Sequence, residues 1–222
     1  MKFAQVNPLT TADGSSTLCS SKYGVHYHSL NGAITESNHI FIEAGLKAIH
    51  LKEINVLEVG FGTGLNAALT ANFAKTAGMA VDYVALELYP LSTDDYRSLN
   101  YNLILPPFAA ESWETICQTP WNEKVDVGNG FNLTKLNVDF TSWQPVSKFH
   151  LVYFDAFAPN DQPEMWEEKQ FKKIFDAMHQ NGILVTYCVK GIVKNALTKV
   201  GFTIERLPGP PGKRHMLRAW KK

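Results

Sequence analysis

The sequence predicts an α/β fold in which a mostly parallel sheet of seven strands has helices on both faces and ends in an antiparallel hairpin. Three observations predict it. Short runs rich in β-branched residues alternate with stretches of helical spacing from residue 54 onwards. A glycine-rich turn joins the first of these strands to the first of these helices. The chain has 222 residues, 45% of them hydrophobic, which suits one substantial core better than two domains.

Each predicted strand is a short apolar run bounded by glycine, proline or polar residues, the pattern of a strand buried in a sheet. The last two runs are separated by a turn rich in glycine and proline, which predicts the closing hairpin. The predicted strands cover residues 54–59, 81–87, 131–138, 149–154, 183–189, 202–207 and 215–220.

Apolar residues at helical spacing predict the connecting helices. The clearest helix follows the glycine-rich turn, with Leu65, Ala68 and Leu69 on one face. It ends at Gly78, a residue type that suits a helix C-terminus. The predicted helices cover residues 40–50, 65–77, 91–102, 109–118, 163–180 and 192–200, and residues 1–50 form a largely polar N-terminal extension.

Charge and cysteine usage limit the class of function. The 21 basic and 21 acidic residues cancel, so any RNA binding must use a local basic patch. Cys19, Cys117 and Cys188 form no CxxC pair, which argues against a zinc ribbon and fits a reducing interior. No stretch approaches the ~18 apolar residues of a membrane helix, and the first residues lack the apolar core of a secretion signal. We therefore expect a cytoplasmic protein.

The loop between the first strand and the first helix is the sharpest local motif. Its glycines at 60, 62 and 64 allow a ligand to approach the backbone closely. A dinucleotide site has the spacing GxGxxG, whose third glycine would fall on Leu65, so a nicotinamide oxidoreductase is disfavoured. The spacing GxGxG instead suits a ligand whose amino-acid tail lies along backbone groups. The candidate cofactor-binding residues in this motif are Glu58, Gly60, Phe61, Gly62, Gly64 and Asn66.

Two further acids follow predicted strands. Glu87 ends the second strand and can accept hydrogen bonds from the hydroxyls of a ribose. Asp139 follows the third strand and can accept from the amino group of an adenine. Each alone is more often a solvated strand end than a ligand-binding group. Because the carboxyl ends of parallel strands share one edge of the sheet, the two acids and the glycine loop together predict a nucleoside-bearing ligand there.

Asp155 ends the fourth predicted strand, so it is expected to face the same crevice and is also a candidate cofactor-binding residue. Together with nearby carbonyls, its carboxylate can hold the N–H bonds of an amine while leaving the lone pair free for a methyl donor. Phe157 offers an aromatic face for a base, and Pro159 stiffens the loop. The alternative is that Asp155 caps the next helix, and both roles are compatible.

The motifs resemble, in order and nearly end to end, those of the MnmC-type tRNA methyltransferases. The resemblance is carried by a TxDGSxT opening at 11–17, an acidic helix entry at 36–43, GFGTGLN at 60–66, ExxPL at 87–91, DxFxPxxxPxMW at 155–166 and GxxKRxM at 209–216. It implies a Rossmann-like class I methyltransferase fold with S-adenosylmethionine as cofactor. Residues 1–50 would then form a cap over the cofactor site, and residues 51–222 the methyltransferase domain.

The resemblance also implies a substrate and a reaction. The expected reaction methylates the aminomethyl nitrogen of 5-aminomethyl-(2-thio)uridine at the tRNA wobble position, with Asp155, Phe157 and Pro159 as candidate catalytic residues. Because the sequence lacks the FAD-dependent oxidase domain of bifunctional relatives, it resembles the stand-alone, MnmD-like form, and a separate oxidase would act upstream. The alternatives are an N-methyltransferase or aminopropyltransferase of a small amine, and a catalytically silent tRNA-binding module.

Two groups of residues complete the sequence-based expectations. Basic residues at Lys190, Lys194, Lys213 and Arg214 are candidate contacts to tRNA phosphates, although a basic tail is as often solubilising. Aromatic and imidazole side chains at 23 and 26–28 suggest a lid that contacts cofactor or base. A metal site is not expected, because a third ligand for the histidines at 26 and 28 is not apparent.

Overall fold

The structure, a computed structural model, describes residues 8–222. Residues 1–7 of the expected N-terminal extension lie outside this range. The strands are β1 (Pro8–Thr10), β2 (Ser16–Leu18), β3 (Glu53–Val59), β4 (Ala80–Glu87), β5 (Lys124–Gly128), β6 (Phe131–Asn137), β7 (Phe149–Phe154), β8 (Met178–Thr186), β9 (Thr203–Pro208) and β10 (His215–Trp220).

The helices are mostly short. The α-helices are α1 (Ala33–Ser37), α2 (Leu65–Ala77), α3 (Thr93–Arg97), α4 (Tyr101–Ile104), α5 (Pro107–Gln118), α6 (Glu168–Asp176) and α7 (Gly191–Lys199). A π-helix covers Asn38–Glu43, and 3-10 turns cover Leu46–Ala48 and Pro163–Trp166. No helix among residues 8–222 has the length and apolar character needed to cross a membrane.

The main sheet has the strand order β5-β6-β4-β3-β7-β8-β10-β9. The five central strands are parallel, and the hairpin of β9 and β10 pairs antiparallel with β8. From β3 the chain runs outwards through β4 to β6 and then returns to β7 on the other side of β3. Ligands of open α/β sheets bind at the carboxyl ends of strands where such a reversal occurs. The predicted mostly parallel sheet with its closing hairpin is confirmed.

The predicted number of seven strands is wrong for the main sheet, which has eight. The additional strand β5 pairs antiparallel with the edge of β6, with a register shift between Asp126 and Gly128. It has a largely polar sequence, Lys-Val-Asp-Val-Gly, and no continuous apolar run. Because an edge strand is defined by pairing with its neighbour, the local pattern did not reveal it.

Three predicted helices are also wrong in extent. The range 163–180 divides into a 3-10 turn, α6 and the start of β8, because Met178 pairs with Phe149 in the sheet. The range 91–102 divides into α3 and α4, and α3 begins with a capping box in which Ser92 and Asp95 satisfy each other's backbone N–H groups. The range 40–50 forms the π-helix and a 3-10 turn.

Two hydrophobic cores lie on opposite faces of the sheet. Ile54 and Val56 of β3 pack into the core covered by α2, α5 and the N-terminal segment. Leu57 and Val59 pack into the core covered by α6 and α7. The covered faces hold the central strands rigidly, so the loops at their carboxyl ends are fixed relative to one another.

Candidate active site

A cavity of about 690 Å³ opens at the carboxyl ends of β3, β4 and β7, next to the reversal of strand order. Its volume lies within the ~300–1,000 Å³ common for small-molecule sites. The walls come from the glycine loop after β3, the turns after β4, β6 and β7, the N-terminal segment 20–37 and Lys213 of the C-terminal loop. Distant parts of the sequence therefore meet at the edge where the sequence predicted a ligand.

The glycine loop is held tightly against β4 and β7. The backbone N–H groups of Gly60 and Phe61 donate to Leu86 O over 3.0 and 3.1 Å. Gly60 has a φ of 92°, and a Cβ there would lie 2.6 Å from Asp155 O. Gly62 has a φ of 51°, and a Cβ there would lie 3.0 Å from the ring of Tyr27. Both positions favour glycine because of the positive φ, and at Gly60 a side chain would in addition clash with backbone.

Glu87 turns its carboxylate back onto the glycine loop. Its Oε2 accepts from Gly62 N–H over 3.1 Å, and its Oε1 accepts from Tyr89 N–H over 2.9 Å. Burial raises the pKa of Glu87, while these backbone donors act in the opposite direction. Each carboxylate oxygen has two acceptor lone pairs, so the side chain retains acceptor capacity toward the cavity.

Asp155 lies directly after β7, where its backbone N–H donates to Val59 O over 2.9 Å. Its Oδ2 accepts from the side-chain amide of Asn66 over 2.9 Å. Burial raises the pKa of Asp155 to about 8, and the charge of Glu36 adds to the rise. The Asn66 hydrogen bond and the charge of Lys213 oppose it. Asp155 is therefore poised to hold or release a proton near neutral pH.

Three aromatic rings cluster beside this carboxylate. The Phe157 ring lies 5.0 Å from that of Tyr23 and 5.1 Å from that of Tyr27, measured between centroids. Gln162 orders the cluster, because its amide oxygen accepts from Phe157 N–H and its amide nitrogen donates to Tyr23 Oη over 2.7 Å. Trp166 Nε1 donates to Phe157 O over 2.7 Å. The cluster forms an apolar wall with a fixed orientation.

An ion pair at the cavity joins the N-terminal segment to the loop between β9 and β10. The Lys213 ammonium donates to Glu36 Oε1, and the other oxygen of Glu36 accepts from Ser29 N–H over 2.8 Å. The same ammonium lies 4.6 Å from the ring centroid of Tyr187. Tyr187 in turn donates to the carbonyl of Ala156, the residue after Asp155, over 2.9 Å. Lys213 is thus held inside the site.

His28 connects the N-terminal segment to the glycine loop. Its Nδ1 lies 3.2 Å from Thr17 Oγ1 and its Nε2 lies 3.4 Å from Thr63 Oγ1. Burial lowers the pKa of His28 to about 4, so the imidazole is neutral at pH 7. Among residues 8–222 no three His, Cys, Asp or Glu side chains are grouped to hold a metal ion.

The structure brings most of the sequence-predicted site residues together. The candidates that line the cavity are Gly60, Phe61, Gly62, Asn66, Glu87, Asp139, Asp155, Phe157 and Lys213, joined by the aromatic and imidazole residues 23 and 26–28. Asp139 directs Oδ1 to Thr141, accepting from its N–H and hydroxyl over 2.7 and 2.8 Å. Its Oδ2 has no such partner in the described part of the chain.

Three candidates lie behind the cavity wall. Pro159 is buried in the loop after β7, and Gly64 begins α2 in a left-handed conformation. Glu58 is fully buried on β3, and within the described residues neither of its oxygens has a hydrogen-bond partner. Burial raises the pKa of Glu58 well above its usual range, and the charge of Asp155 adds to the rise, so the surroundings favour the neutral form of Glu58.

The four basic residues that are candidate RNA contacts do not all line the cavity, since only Lys213 does. Lys190 is exposed and donates to Asn160 Oδ1 over 2.8 Å beside the loop that follows β7. Lys194 is half-buried on α7, and Arg214 is exposed on the turn between β9 and β10. Lys213 alone enters the site, where Glu36 neutralises it.

Sequence reasoning did not assign roles to Glu36, Gln162 or Tyr187. Glu36 was visible as the acid of a motif, and Gln162 lies within the segment that follows Asp155. Tyr187 directly follows β8, so its position at the carboxyl end of a parallel strand was an available signal. Only the fold shows that all three line the same cavity.

Comparison with known proteins agrees with this geometry. Residues 121–222 match the model of an S-adenosyl-L-methionine-dependent methyltransferase family, in agreement with the predicted cofactor. The chain is 29% identical over 90% of its length to the tRNA 5-methylaminomethyl-2-thiouridine biosynthesis bifunctional protein MnmC of Burkholderia mallei (strain SAVP1). A Burkholderia pseudomallei (strain K96243) protein of the same name is also 29% identical over 90% of the chain. The chain spans 33% and 34% of these two relatives, about a third of their length.

Solved structures give the same result. The crystal structure of MNMC2 from Aquifex aeolicus superposes with a TM-score of 0.83 and 28% identity, covering 100% of this chain and 72% of that one. The sugar N-methyltransferase KedS8 from Streptoalloteichus shares the fold alone, with a TM-score of 0.52 and 13% identity over 85% of this chain and 87% of that one. On fold and sequence together, the chain has the class I methyltransferase fold and is similar to S-adenosyl-L-methionine-dependent methyltransferases and to MnmC proteins.

Proposed function

We propose that the protein transfers a methyl group from S-adenosylmethionine to the aminomethyl nitrogen of 5-aminomethyl-(2-thio)uridine at the wobble position of tRNA. The observation that carries this proposal is Asp155, held by Asn66 at the end of β7 and facing a cavity with an aromatic wall. The similarity to MnmC proteins supports the choice of acceptor.

The residues of the cavity fit the cofactor. Gly60 and Gly62 form a cradle that a Cβ would fill, and Glu87 beside them has free acceptor capacity. We assign the glycine loop to the amino-acid portion, Glu87 to the ribose hydroxyls and Asp139 to the adenine amino group. When bound, S-adenosylmethionine supplies an electrophilic methyl group on a sulfonium. We also propose that the N-terminal segment, which includes Tyr27 over Gly62, caps this site.

Asp155 acts on the acceptor nitrogen. A primary amine attacks only as the neutral form, because protonation occupies its lone pair. The carboxylate accepts an N–H hydrogen bond and so directs the lone pair away from itself, and it takes up the proton that the nitrogen releases after gaining the methyl group. The rings of Tyr23 and Phe157 provide a face against which a pyrimidine stacks.

The phosphate backbone of the RNA is bound outside the cavity, while the modified base enters it. Lys190, Lys194 and Arg214 are candidates for phosphate contacts. Because contacts to phosphates release counterions, the affinity for RNA should fall as the salt concentration rises. A tRNA acceptor fits a cytoplasmic location. Because the free aminomethyl group must first be produced, we propose that an oxidase activity acts upstream, as in the bifunctional relatives.

Transfer of labelled methyl from S-adenosylmethionine to tRNA bearing 5-aminomethyl-2-thiouridine, followed by mass analysis of the nucleosides, tests the proposal. A new methylaminomethyl nucleoside is expected. Tight cofactor binding without transfer to this tRNA would refute the tRNA acceptor and favour a small amine. In that case a panel of small primary amines, assayed with methyl and aminopropyl donors, identifies the acceptor class.

A further inference from the structure

The ion pair between Glu36 and Lys213 bears on the chemistry of the site as well as on its shape. Its members are 177 residues apart in the sequence, and Glu36 is only 8% exposed. A surface salt bridge contributes little to stability because water screens it. A pair inside a cavity acts on its neighbours much more strongly, because the surrounding protein screens charge poorly.

The loop that carries Lys213 is fastened to the N-terminal segment at further points. His39 Nε2 lies 2.9 Å from Pro208 O, at the end of β9. Gly212 abuts the side chain of Asn31 so closely that a Cβ would clash with it. These contacts hold the Lys213 ammonium at a constant place between Glu36 and Tyr187.

The charge near the acceptor position is therefore composed of two carboxylates and one ammonium. The titratable or charged groups that interact with Asp155 from the surrounding elements are Glu36, Lys213, Glu58, Tyr83 and Tyr187. The two tyrosines are neutral at pH 7, because burial raises the pKa of each further above its ordinary alkaline value, and burial favours the neutral form of Glu58 by raising its pKa. Asp161 also lines the cavity, where its charge acts on Tyr187 and is not among those that shift the pKa of Asp155.

We propose that Glu36 and Lys213 form a charge-balancing pair that leaves one net negative charge beside the acceptor nitrogen, so that Asp155 and an incoming amine can both be unprotonated when the reaction begins. Lys213 is thus a positioning residue that acts through Asp155, because its charge favours the unprotonated forms of Asp155 and of the amine. This inference rests on the proposed function, in which the acceptor is an amine.

The net charge beside the acceptor determines whether Asp155 and the amine carry protons. Without Lys213, two carboxylates would face the amine and stabilise it as an ammonium, which has no lone pair for the methyl group. Without Glu36, an unopposed ammonium would favour both the ionised Asp155 and the neutral amine. Loss of both restores one net negative charge. The two single variants should therefore shift the pH dependence in opposite directions, and the double variant should not shift it.

The test measures kcat/KM for methyl transfer against pH in Lys213→Met, Glu36→Gln and the double variant. We expect the acid-side midpoint to rise by about one pH unit in Lys213→Met and to fall by about one unit in Glu36→Gln. The double variant and Lys213→Arg should keep the wild-type midpoint. Lys172→Met serves as a matched control, because Lys172 forms an exposed ion pair with Asp176 on α6.

A second readout does not depend on the acceptor. The ¹³C chemical shift of the Asp155 carboxyl, assigned with Asp155→Asn, reports its midpoint in the protein without ligands. It should rise in Lys213→Met and fall in Glu36→Gln. Unchanged midpoints in both assays, with only lower thermal stability or a higher KM for tRNA, would overturn the inference in favour of a structural clasp or a phosphate contact. If wild-type protein transfers no methyl group to tRNA, the proposed function fails, and the carboxyl titration still decides the charge balance.

Discussion

The side-chain amide of Asn66, in the first turn of α2, donates a hydrogen bond of 2.9 Å to Asp155 Oδ2 at the end of β7. This contact joins the glycine loop on one side of the strand reversal to the carboxylate on the other side that we propose acts on the acceptor. One oxygen of Asp155 is thereby oriented by the protein, which leaves the other for an acceptor. The proposed cofactor cradle and the proposed acceptor site are thus built as one unit.

Replacing Asp155 with Ala should lower kcat for methyl transfer by about 10²- to 10⁴-fold, because the amine loses the group that orients it and takes its proton. The affinity for S-adenosylmethionine should stay nearly unchanged, as measured by calorimetry. Asp94→Asn is the control, since its side chain is 92% exposed on α3. Wild-type turnover in the alanine variant would remove Asp155 from this role.

The Asp155 carboxyl should also limit stability at alkaline pH. Its folded pKa of about 8 lies above the ordinary value of 3.8, so the folded state binds the proton more tightly than the unfolded state. Stability is therefore lost as the pH rises from about 4 to about 8, and it is constant with respect to this group above that range. Asp155→Asn removes the titration.

Urea unfolding of Asp155→Asn and wild type, without ligand, measures this effect. The difference in free energy of unfolding should grow in favour of the variant between pH 5 and pH 8, by on the order of 1–2 kcal/mol after allowance for partial solvent screening. A difference that does not change with pH would contradict the raised pKa.

Gly60→Ala should impair folding and cofactor binding together. The added Cβ meets Asp155 O at 2.6 Å in addition to the strain of a positive φ. We expect a loss of about 2–4 kcal/mol in the free energy of unfolding, from left-handed strain and overpacking. Gly78→Ala isolates the strain, because Gly78 has a φ of 59° with nothing within 4 Å of its Cβ position, and should lose only about 1 kcal/mol. Equal losses in the two variants would mean that the close approach has no effect.

Glu87→Gln should weaken S-adenosylmethionine binding by about 10- to 100-fold, since hydrogen bonds to an ionised acceptor are stronger than those to an amide. Isothermal titration measures the change in Kd. Asp82→Asn is the matched control on the same strand, because Asp82 pairs with Lys124 at about half exposure, away from the cavity. An unchanged Kd in Glu87→Gln would exclude the proposed ribose contact.

Phe157→Leu should reduce kcat/KM for the tRNA acceptor by about 10-fold or more, because an aromatic face contributes about 1–3 kcal/mol to base stacking. Cofactor affinity should remain unchanged, which separates acceptor from cofactor effects. Phe108→Leu is the control, as Phe108 is a half-buried ring on α5 outside the cavity. Equal kcat/KM values for wild type and Phe157→Leu would argue against stacking on this ring.

Local features of the site were predictable from the sequence. The loop from Gly60 to Asn66 depends on backbone conformations that glycine provides, and the acids Glu87 and Asp155 follow strands whose apolar runs are evident. Parallel strands bring their carboxyl ends to one edge, so the shared crevice followed from the order of the elements. Three predicted site residues, Glu58, Gly64 and Pro159, lie behind the cavity wall instead of lining it.

Elements that depend on pairing were less predictable. Strand β5 is polar and exists through its ladder with β6, and Met178 belongs to β8 instead of a helix because it pairs with Phe149. Local helical spacing does not contain this information, since tertiary pairing overrides weak propensity.

By itself the sequence determined the α/β class, the glycine cradle and the strand-end carboxylates, because each arises from residues close together along the chain. Only the tertiary structure decided that Lys213 faces Glu36 inside the cavity and leaves Lys190, Lys194 and Arg214 for the outer surface. The physical reason is that a charge in a cavity is governed by its neighbours in space. Those neighbours were brought together by the packing of the N-terminal segment against the C-terminal loop.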